Sequence, residues 1–337
     1  MNETLSALYK EVFGAVPAKV ETLPGAGSNR VYVRFTAADE TTCIGAFGND
    51  LEENRAFLYL ARHFSSKSLP VPQVLGVSDD GHCYLLADLG DVSLHQALSD
   101  WREQGYSEHA DSAESAYALL RRTLRTLPHF QVEGAQGLDF ERLLSPNTFC
   151  ERSVMFDLNY FKYCFLKTAD LPFDEMRLED DFEALTKDLV EGVDNEAFFL
   201  YRDFQSRNVM VCDTNSYMID FQGGRRGPLP YDVASFLWQA SAGYPQALRD
   251  RLIEEYLDEL NSLRPVDREQ FRSDLQRFVL FRLLQVLGAY GLRGRFERKP
   301  YFLQSIPPAL ENVRALLATG VASGYPTLEA VLRKLSQ

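Results

Sequence analysis

Short runs of alternating or continuous apolar residues punctuate the first ninety positions of the chain. Ala18–Leu23, Arg30–Phe35 and Thr42–Phe47 read as strands, and so do Gln73–Val77 and His82–Asp88, the last two joined by the turn sequence Ser78-Asp-Asp-Gly81. Residues 3–14 place Leu5, Leu8, Val12 and Phe13 on one side of a short amphipathic helix. Asn49-Asp50 caps a second helix that runs to about Phe64, with Leu51, Phe57, Leu58 and Leu60 as its apolar positions, and Pro70-Val-Pro72 closes that unit. From Val92 onward the period lengthens to that of helices, over 92–101, 108–126, 139–145, 150–168, 178–191, 232–241, 245–262, 266–290 and 307–336. One hairpin interrupts this series. Asn208–Cys212 and Ser216–Asp220 are its strands, and Asp213-Thr-Asn-Ser216 is its turn.

The pattern predicts an α+β chain in two lobes. Residues 1–88 make a small five-stranded antiparallel lobe with an inserted helix. Residues 89–337 make a larger, mainly helical lobe that carries the hairpin. The short link at Leu86–Gly90 joins them, and a ligand belongs in the cleft between. The chain has no internal repeat and no low-complexity tract.

Composition narrows the class. With 45% hydrophobic and 25% charged residues, this is a globular sequence. Its net charge of −13, with no basic stripe, argues against a nucleic-acid partner and suits a polar or cationic small molecule. The five cysteines, Cys43, Cys83, Cys150, Cys164 and Cys212, form no Cys-x-x-Cys pair and read as buried thiols of a reducing compartment. The N-terminus lacks a signal-peptide pattern, and the richest apolar run, Phe278–Tyr290, is broken by Arg282 and Gln285. A cytoplasmic protein without a membrane span is expected.

The chemistry is concentrated in Phe199-Leu-Tyr-Arg-Asp-Phe-Gln-Ser-Arg-Asn208 and, beyond it, Asp220-Phe-Gln222. An apolar run delivers Asp203 to a loop. Asn208 begins the hairpin and Asp220 ends it, so two carboxylates and an amide converge on one spot, a donor set suited to a hard cation. A base beside an acceptor hydroxyl, followed by two oxygen ligands for Mg²⁺, is the arrangement of a phosphoryl-transfer loop, where catalysis is positioning and charge neutralisation.

These residues resemble the aminoglycoside phosphotransferase / choline kinase-like family, and most closely its bacterial N-acetylmuramate/N-acetylglucosamine kinase-like branch. The resemblance rests on Tyr201-Arg-Asp-Phe-Gln-Ser-Arg-Asn208, Ile219-Asp-Phe-Gln222, Gly227-Pro-Leu-Pro-Tyr-Asp-Val-Ala-Ser235 and the hinge-like Leu85-Leu-Ala-Asp-Leu-Gly-Asp91, and it spans about residues 20–240. It implies a protein-kinase-like fold and a small-molecule kinase that uses ATP with Mg²⁺ to phosphorylate a hydroxyl, first of all on an amino sugar or cell-wall sugar. An aminoglycoside phosphotransferase and a non-catalytic, pseudokinase-type binding protein are the alternatives. Protein-kinase activity is disfavoured, because the stretch from Asp220 to Asp232 is too short for an activation segment.

The resemblance also distributes roles. Asp203 becomes the catalytic base, and Asn208 and Asp220 the Mg²⁺ ligands. Asp232 supports the catalytic loop, caps helix 233–241, or does both. Gly25, Gly27, Ser28 and Asn29 form a phosphate-side turn, beside which Arg30 either covers a phosphate or lies at a solvated edge. Backbone groups of Ala87, Asp88 and Leu89 face adenine. Gln205, Arg207 and Gln222 face the acceptor, while Arg225 and Arg226 either join them or face solvent. Tyr160 is available to stack on a sugar, with Phe156, Phe161 and Phe165 in the core. One departure stands out. The third strand, Thr42-Cys-Ile-Gly-Ala-Phe47, lacks the phosphate-gripping Lys, so Arg30, Arg34 or the metal must supply that charge. The usual partner of that Lys is represented by Glu52 or Glu53.

Overall fold

The computed structural model describes residues 2–24, 30–191 and 198–337; Gly25, Gly27, Ser28 and Asn29 lie outside them. The chain is α+β, as the pattern predicts. After α1 (Asn2–Phe13) come β1 (Lys19–Thr22), β2 (Val31–Thr36), β3 (Thr42–Phe47), α2 (Leu51–Ser66), β4 (Val74–Val77) and β5 (Cys83–Ala87). The five strands form one antiparallel sheet in the order β1-β2-β3-β5-β4.

Alternation along the strands sorts residues onto two faces. Val33, Phe35, Cys43, Cys83 and Leu85 pack with Leu5, Leu8 and Tyr9 of α1. Ala46, which pairs with Tyr32 across β2 and β3, joins Tyr84 and Leu86 in the main core under α2. Asp50 starts α2 by accepting the Glu53 amide at 3.0 Å. The far side of α2 binds it to the rest of the molecule. Phe57 stacks flat on Phe221 at 5.1 Å, and Phe64 meets Phe130, Phe199 and Phe221 edge-on. The buried core therefore runs without a break past residue 88.

The remainder is mainly helical: α3 (Leu94–Ala97), α4 (Ser99–Glu103), α5 (Ala113–Pro128), α6 (Glu151–Cys164), α7 (Glu175–Val190), α8 (Leu229–Leu237), α9 (Gln246–Leu263), α10 (Arg268–Tyr290), α11 (Pro300–Gln304), α12 (Ile306–Leu317) and α13 (Pro326–Leu335). Two small ribbons interrupt it, β6 (Phe199–Leu200) with β9 (Arg225–Arg226) and β7 (Val209–Cys212) with β8 (Asn215–Met218). The helix expected over 139–145 is a single tight turn, Phe140–Arg142, and Leu143 is already extended; Pro146 disfavours a helical residue before it. The helix expected over 307–336 divides where Gly320 takes a φ of 80°, and Pro326 opens the next helix at its first turn. Phe161 and Phe165 are fully buried, but Phe156 is 70% exposed and stacks on Tyr160, because it lies on the face of α6 opposite Leu158 and Phe161. Among the described residues no helix is long and apolar enough to cross a membrane.

A tight crossing of α6 and α10 positions the chemistry described below. A Cβ at Gly288 of α10 would stand 2.9 Å from both Phe161 N and Tyr160 Cδ1 of α6. The missing side chain lets the helices approach, so Gln285 Nε2 donates to Asp157 Oδ2 at 2.5 Å. Gly288→Val should cost about 1–3 kcal/mol through overpacking, well beyond any gain in helix propensity. A thermal melt that shows an unchanged midpoint would refute this account of the crossing.

Candidate active site

Buried β6 delivers Tyr201, Arg202 and Asp203 to the loop that follows it. Arg202 has a φ of 76°, a left-handed conformation that costs a non-glycine residue free energy and persists only where neighbours enforce it. Asp232 enforces it. Fully buried, it accepts the Arg202 amide through Oδ1 at 2.9 Å and the Tyr201 amide through Oδ2 at 2.9 Å. Gln131 Nε2 adds a third donor at 3.1 Å, and its own Oε1 accepts Tyr256 Oη at 2.6 Å. Burial pushes the Asp232 carboxyl up to about 7, against the pull of the two amides and Gln131. Asp232 is not the cap of its helix: α8 begins earlier, at Leu229, after Pro228. Tyr201 Oη donates to the Ile219 carbonyl and ties this loop to the end of the hairpin.

These bonds bring Asp203, Asn208 and Asp220 together. Asn208 Nδ2 donates to the Asp203 carbonyl at 2.9 Å and to Asp220 Oδ2 at 3.2 Å, which leaves its Oδ1 as an oxygen ligand. Asp220 also has a left-handed φ, 66°. Burial and nearby Asp203 raise its pKa, while Gln222 and Arg30 oppose the shift. A strained carboxylate, repelled by its neighbour and joined by an amide oxygen, fits a hard divalent cation whose other ligands come from phosphate and water. Among the described residues no group of three or more His, Cys, Asp or Glu forms a metal cage of its own. The Asp203 side chain is 41% exposed, so it can meet an incoming hydroxyl.

One flank of Asp203 is built from guanidinium groups. Arg282 Nη2 lies 4.0 Å from Asp203 Oδ1, and Arg282 Nη1 donates to Gln285 Oε1. Arg202, Arg225 and Asp157 line a small recess with Tyr231, Phe149, Ser153 and Leu200. Burial raises the Asp157 pKa, while Arg202, Arg282 and Arg225 pull it down; burial and Arg202 lower that of Arg225. Arg225 is thus a buried member of the site, whereas Arg226 turns outward over the Phe140 ring. Arg202, Arg282 and Asp157 escape the motif reading. The available signal for Arg282 and Gln285 was their polarity inside the otherwise apolar run Phe278–Tyr290.

The opposite flank differs from expectation at several points. Gln222 turns toward Asp220 and Glu53: its Nε2 donates to Asp220 Oδ1 at 2.8 Å and to Glu53 Oε1 at 3.0 Å. Arg30 is not a solvated edge residue; it is buried, 3.2 Å from Glu53. Arg34 is committed to the hinge, with Nε and Nη2 on the Asp88 carboxylate at 2.6 and 3.1 Å and Nη2 on Asp91 at 2.8 Å. The Ala87 amide donates to the Gln73 carbonyl, so that N–H is already engaged within the small lobe. Gln205 is half-buried beside the loop. Arg207 stacks over Tyr301 at 5.0 Å and meets His95 Nε2 at 3.1 Å, and Tyr290 senses both Arg207 and Arg282, so Arg207 borders the guanidinium flank.

The pattern of the phosphotransferase enzyme family (APH) matches residues 19–266. The chain belongs to that family. This phosphotransferase is an ATP-dependent kinase by class. It is 22% identical over 318 residues to the N-acetylmuramate/N-acetylglucosamine kinase of Pseudomonas aeruginosa, an alignment covering 88% of this chain and 83% of that protein. Its fold is like that of the choline kinase LicA from Streptococcus pneumoniae, with a TM-score of 0.60 at 12% identity over 94% of this chain and 99% of the other. It is also like aminoglycoside phosphotransferase APH(4)-Ia, with a TM-score of 0.56 at 15% identity over 94% and 99%. The architecture is the protein-kinase-like one that the family resemblance implied.

Two predictions concern how this phosphotransferase holds its loop. Asp232→Ala leaves the amides of Tyr201 and Arg202 buried without an acceptor, at about 1–3 kcal/mol each. Denaturant titration should show a loss of about 2–5 kcal/mol, and kcat should fall at least tenfold; unchanged stability would remove Asp232 from this role. His95, beside Arg207 and Arg102, is pushed down to about 4 by burial and by those two cations. The unfolded chain then binds a proton that the native one refuses between about 4 and 6.5, so stability rises with pH across that window. Melting temperature should climb less steeply over it in His95→Asn; parallel pH curves would contradict the assignment.

Proposed function

We propose that this phosphotransferase moves the γ-phosphoryl group of ATP to a hydroxyl of an amino sugar or related cell-wall sugar, in the cytoplasm where ATP is supplied. The observation that carries the reading is the convergence of an open Asp203 carboxylate with the bonded pair Asn208 and Asp220. On this reading residues 1–88 carry the nucleotide, with the adenine edge against the backbone of Asp88 and Leu89, and residues 89–337 carry the acceptor and the catalytic loop.

Asn208 Oδ1 and the Asp220 carboxylate would hold Mg²⁺, which supplies charge neutralisation on the triphosphate when bound. The acceptor hydroxyl lies against Asp203. Its oxygen forms the new bond to the γ-phosphorus, the bond from that phosphorus to the β,γ-bridging oxygen breaks, and ADP leaves. Asp203 orients the hydroxyl and takes its proton late in the transfer. Arg282, close to Asp203, keeps that carboxylate aimed and opposes the negative charge gathered there.

The guanidinium flank favours the sugar over an aminoglycoside. Three guanidiniums, Arg202, Arg225 and Arg282, stand around Asp157 and beside Asp203, an arrangement that disfavours a polycationic antibiotic relative to a neutral or acidic sugar. The Pseudomonas relative named for N-acetylmuramate and N-acetylglucosamine supports the same class.

A coupled assay over N-acetylmuramate, N-acetylglucosamine, choline and aminoglycosides should give turnover with the acetylated sugars and none with the antibiotics. Asp203→Asn should lower kcat by about 10²–10⁴ with nucleotide affinity kept. Turnover of that variant within a few-fold of the unaltered enzyme, or preference for an aminoglycoside, would discard the reading.

A further inference from the structure

We propose that Arg30 is the phosphate-binding cation of the nucleotide site, supplied from the start of β2 in the place that a lysine on β3 would fill, with Glu53 as the residue that positions it. The inference rests on the nucleotide-dependent reading above and assigns a residue to it.

The strand geometry puts Arg30 on the correct face. Tyr32 pairs with Ala46 on the side of the sheet that faces α2, and Arg30 lies two residues before Tyr32, hence on the same side. Ala46 is fully buried and carries no charge. The Arg30 guanidinium covers this ground instead. It lies 5.7 Å from the Phe57 ring centroid, with Nη2 3.2 Å from Glu53 Oε1. Phe57 in turn stacks on Phe221, the residue after Asp220.

Glu53 connects this cation to the metal carboxylate. The same Oε1 accepts Gln222 Nε2 at 3.0 Å, and that amide donates to Asp220 Oδ1 at 2.8 Å. Arg30 is therefore held beside the ligand that would bind Mg²⁺, where the non-transferred phosphates of a bound nucleotide must run. Charge balance points the same way. Glu53, Asp220 and Asp203 are three acids on this side of the site, and Arg30 is the cation that opposes Asp220 there. Arg34, on β2 itself, is engaged by Asp88 and Asp91 through Nε and Nη2. An arginine also suits a buried position, because it keeps its proton where a desolvated lysine would lose it.

The test compares two probes that differ only in their phosphates. Binding of AMP-PNP with Mg²⁺ and of adenosine is measured calorimetrically on the full chain for the unaltered protein, Arg30→Ala and Arg30→Gln. Both variants should bind AMP-PNP at least about tenfold more weakly while adenosine affinity stays within about twofold, since the hinge and the fold remain. AMP-PNP affinity equal to that of the unaltered protein, or an equal loss of both probes, would overturn the assignment and leave the proposed reaction standing. Failure of the unaltered protein to bind AMP-PNP would overturn both.

Discussion

The buried carboxylate of Asp232 is the constraint on which the site depends. A fully buried carboxyl group must be met by donors, and three N–H groups meet it: two from the loop that carries Asp203 and one from Gln131. The bargain is mutual. The left-handed Arg202 would be unfavourable by itself, and the bonds from the Tyr201 and Arg202 amides to Asp232 offset that cost. Gln131 follows α5, Asp232 belongs to α8, and Tyr256 of α9 binds Gln131, so three parts of the helical region meet at one carboxylate. Asp203 is aimed by that junction. The backbone leaves Arg202 in one direction only, and Asn208 then fastens the Asp203 carbonyl from the other side.

Around that fixed point the charges divide. On one side stand Glu53, Asp220 and the Arg30 guanidinium; on the other, Arg202, Arg225 and Arg282 around Asp157. Asp203 lies between, half-exposed. Such a layout separates the two requirements of a phosphoryl transfer. On the proposed reading the acidic side would take a metal-bound polyphosphate and the basic side would discriminate among acceptors. The chain's net charge of −13 conceals this local cluster of guanidinium groups.

The parts legible in the sequence are those set by short-range pattern. The five strands follow from period-two alternation and turn residues, and the loop from Asp, Asn and Asp at fixed spacing; each is a local property. What stayed hidden depends on register between distant segments. Gln222 looked like an acceptor contact because it neighbours the loop in sequence, yet only the packing of α2 against the hairpin brings Glu53 to its amide. Arg282 enters the site because Gly288 lets α10 approach α6, a contact between helices more than a hundred residues apart. Phe156 was grouped with Phe161 and Phe165 at helical spacing, but on α6 it lies on the face opposite Leu158 and Phe161 and is exposed. The break within 307–336 was announced by Gly320 and Pro326 and hidden only by the continuity of apolar residues around them.

Two departures from the usual kinase pattern then become one. The third strand lacks the lysine of a protein kinase, and the residue two after Asp220 is Gln222 where a protein kinase carries glycine. A glycine there leaves no side chain to join the helix acid to the metal carboxylate. Gln222 makes that join, donating to Glu53 and to Asp220 at once. Glu53, held from below by Gln222, is thereby presented to Arg30 arriving from β2. A lysine on β3 reaches its partner acid from the middle of the sheet and needs no such bridge. An arginine entering from the strand's beginning approaches from another direction and needs the acid held for it. On the proposed reading of Arg30, Gln222 and the uncharged β3 belong to one arrangement of the phosphate side.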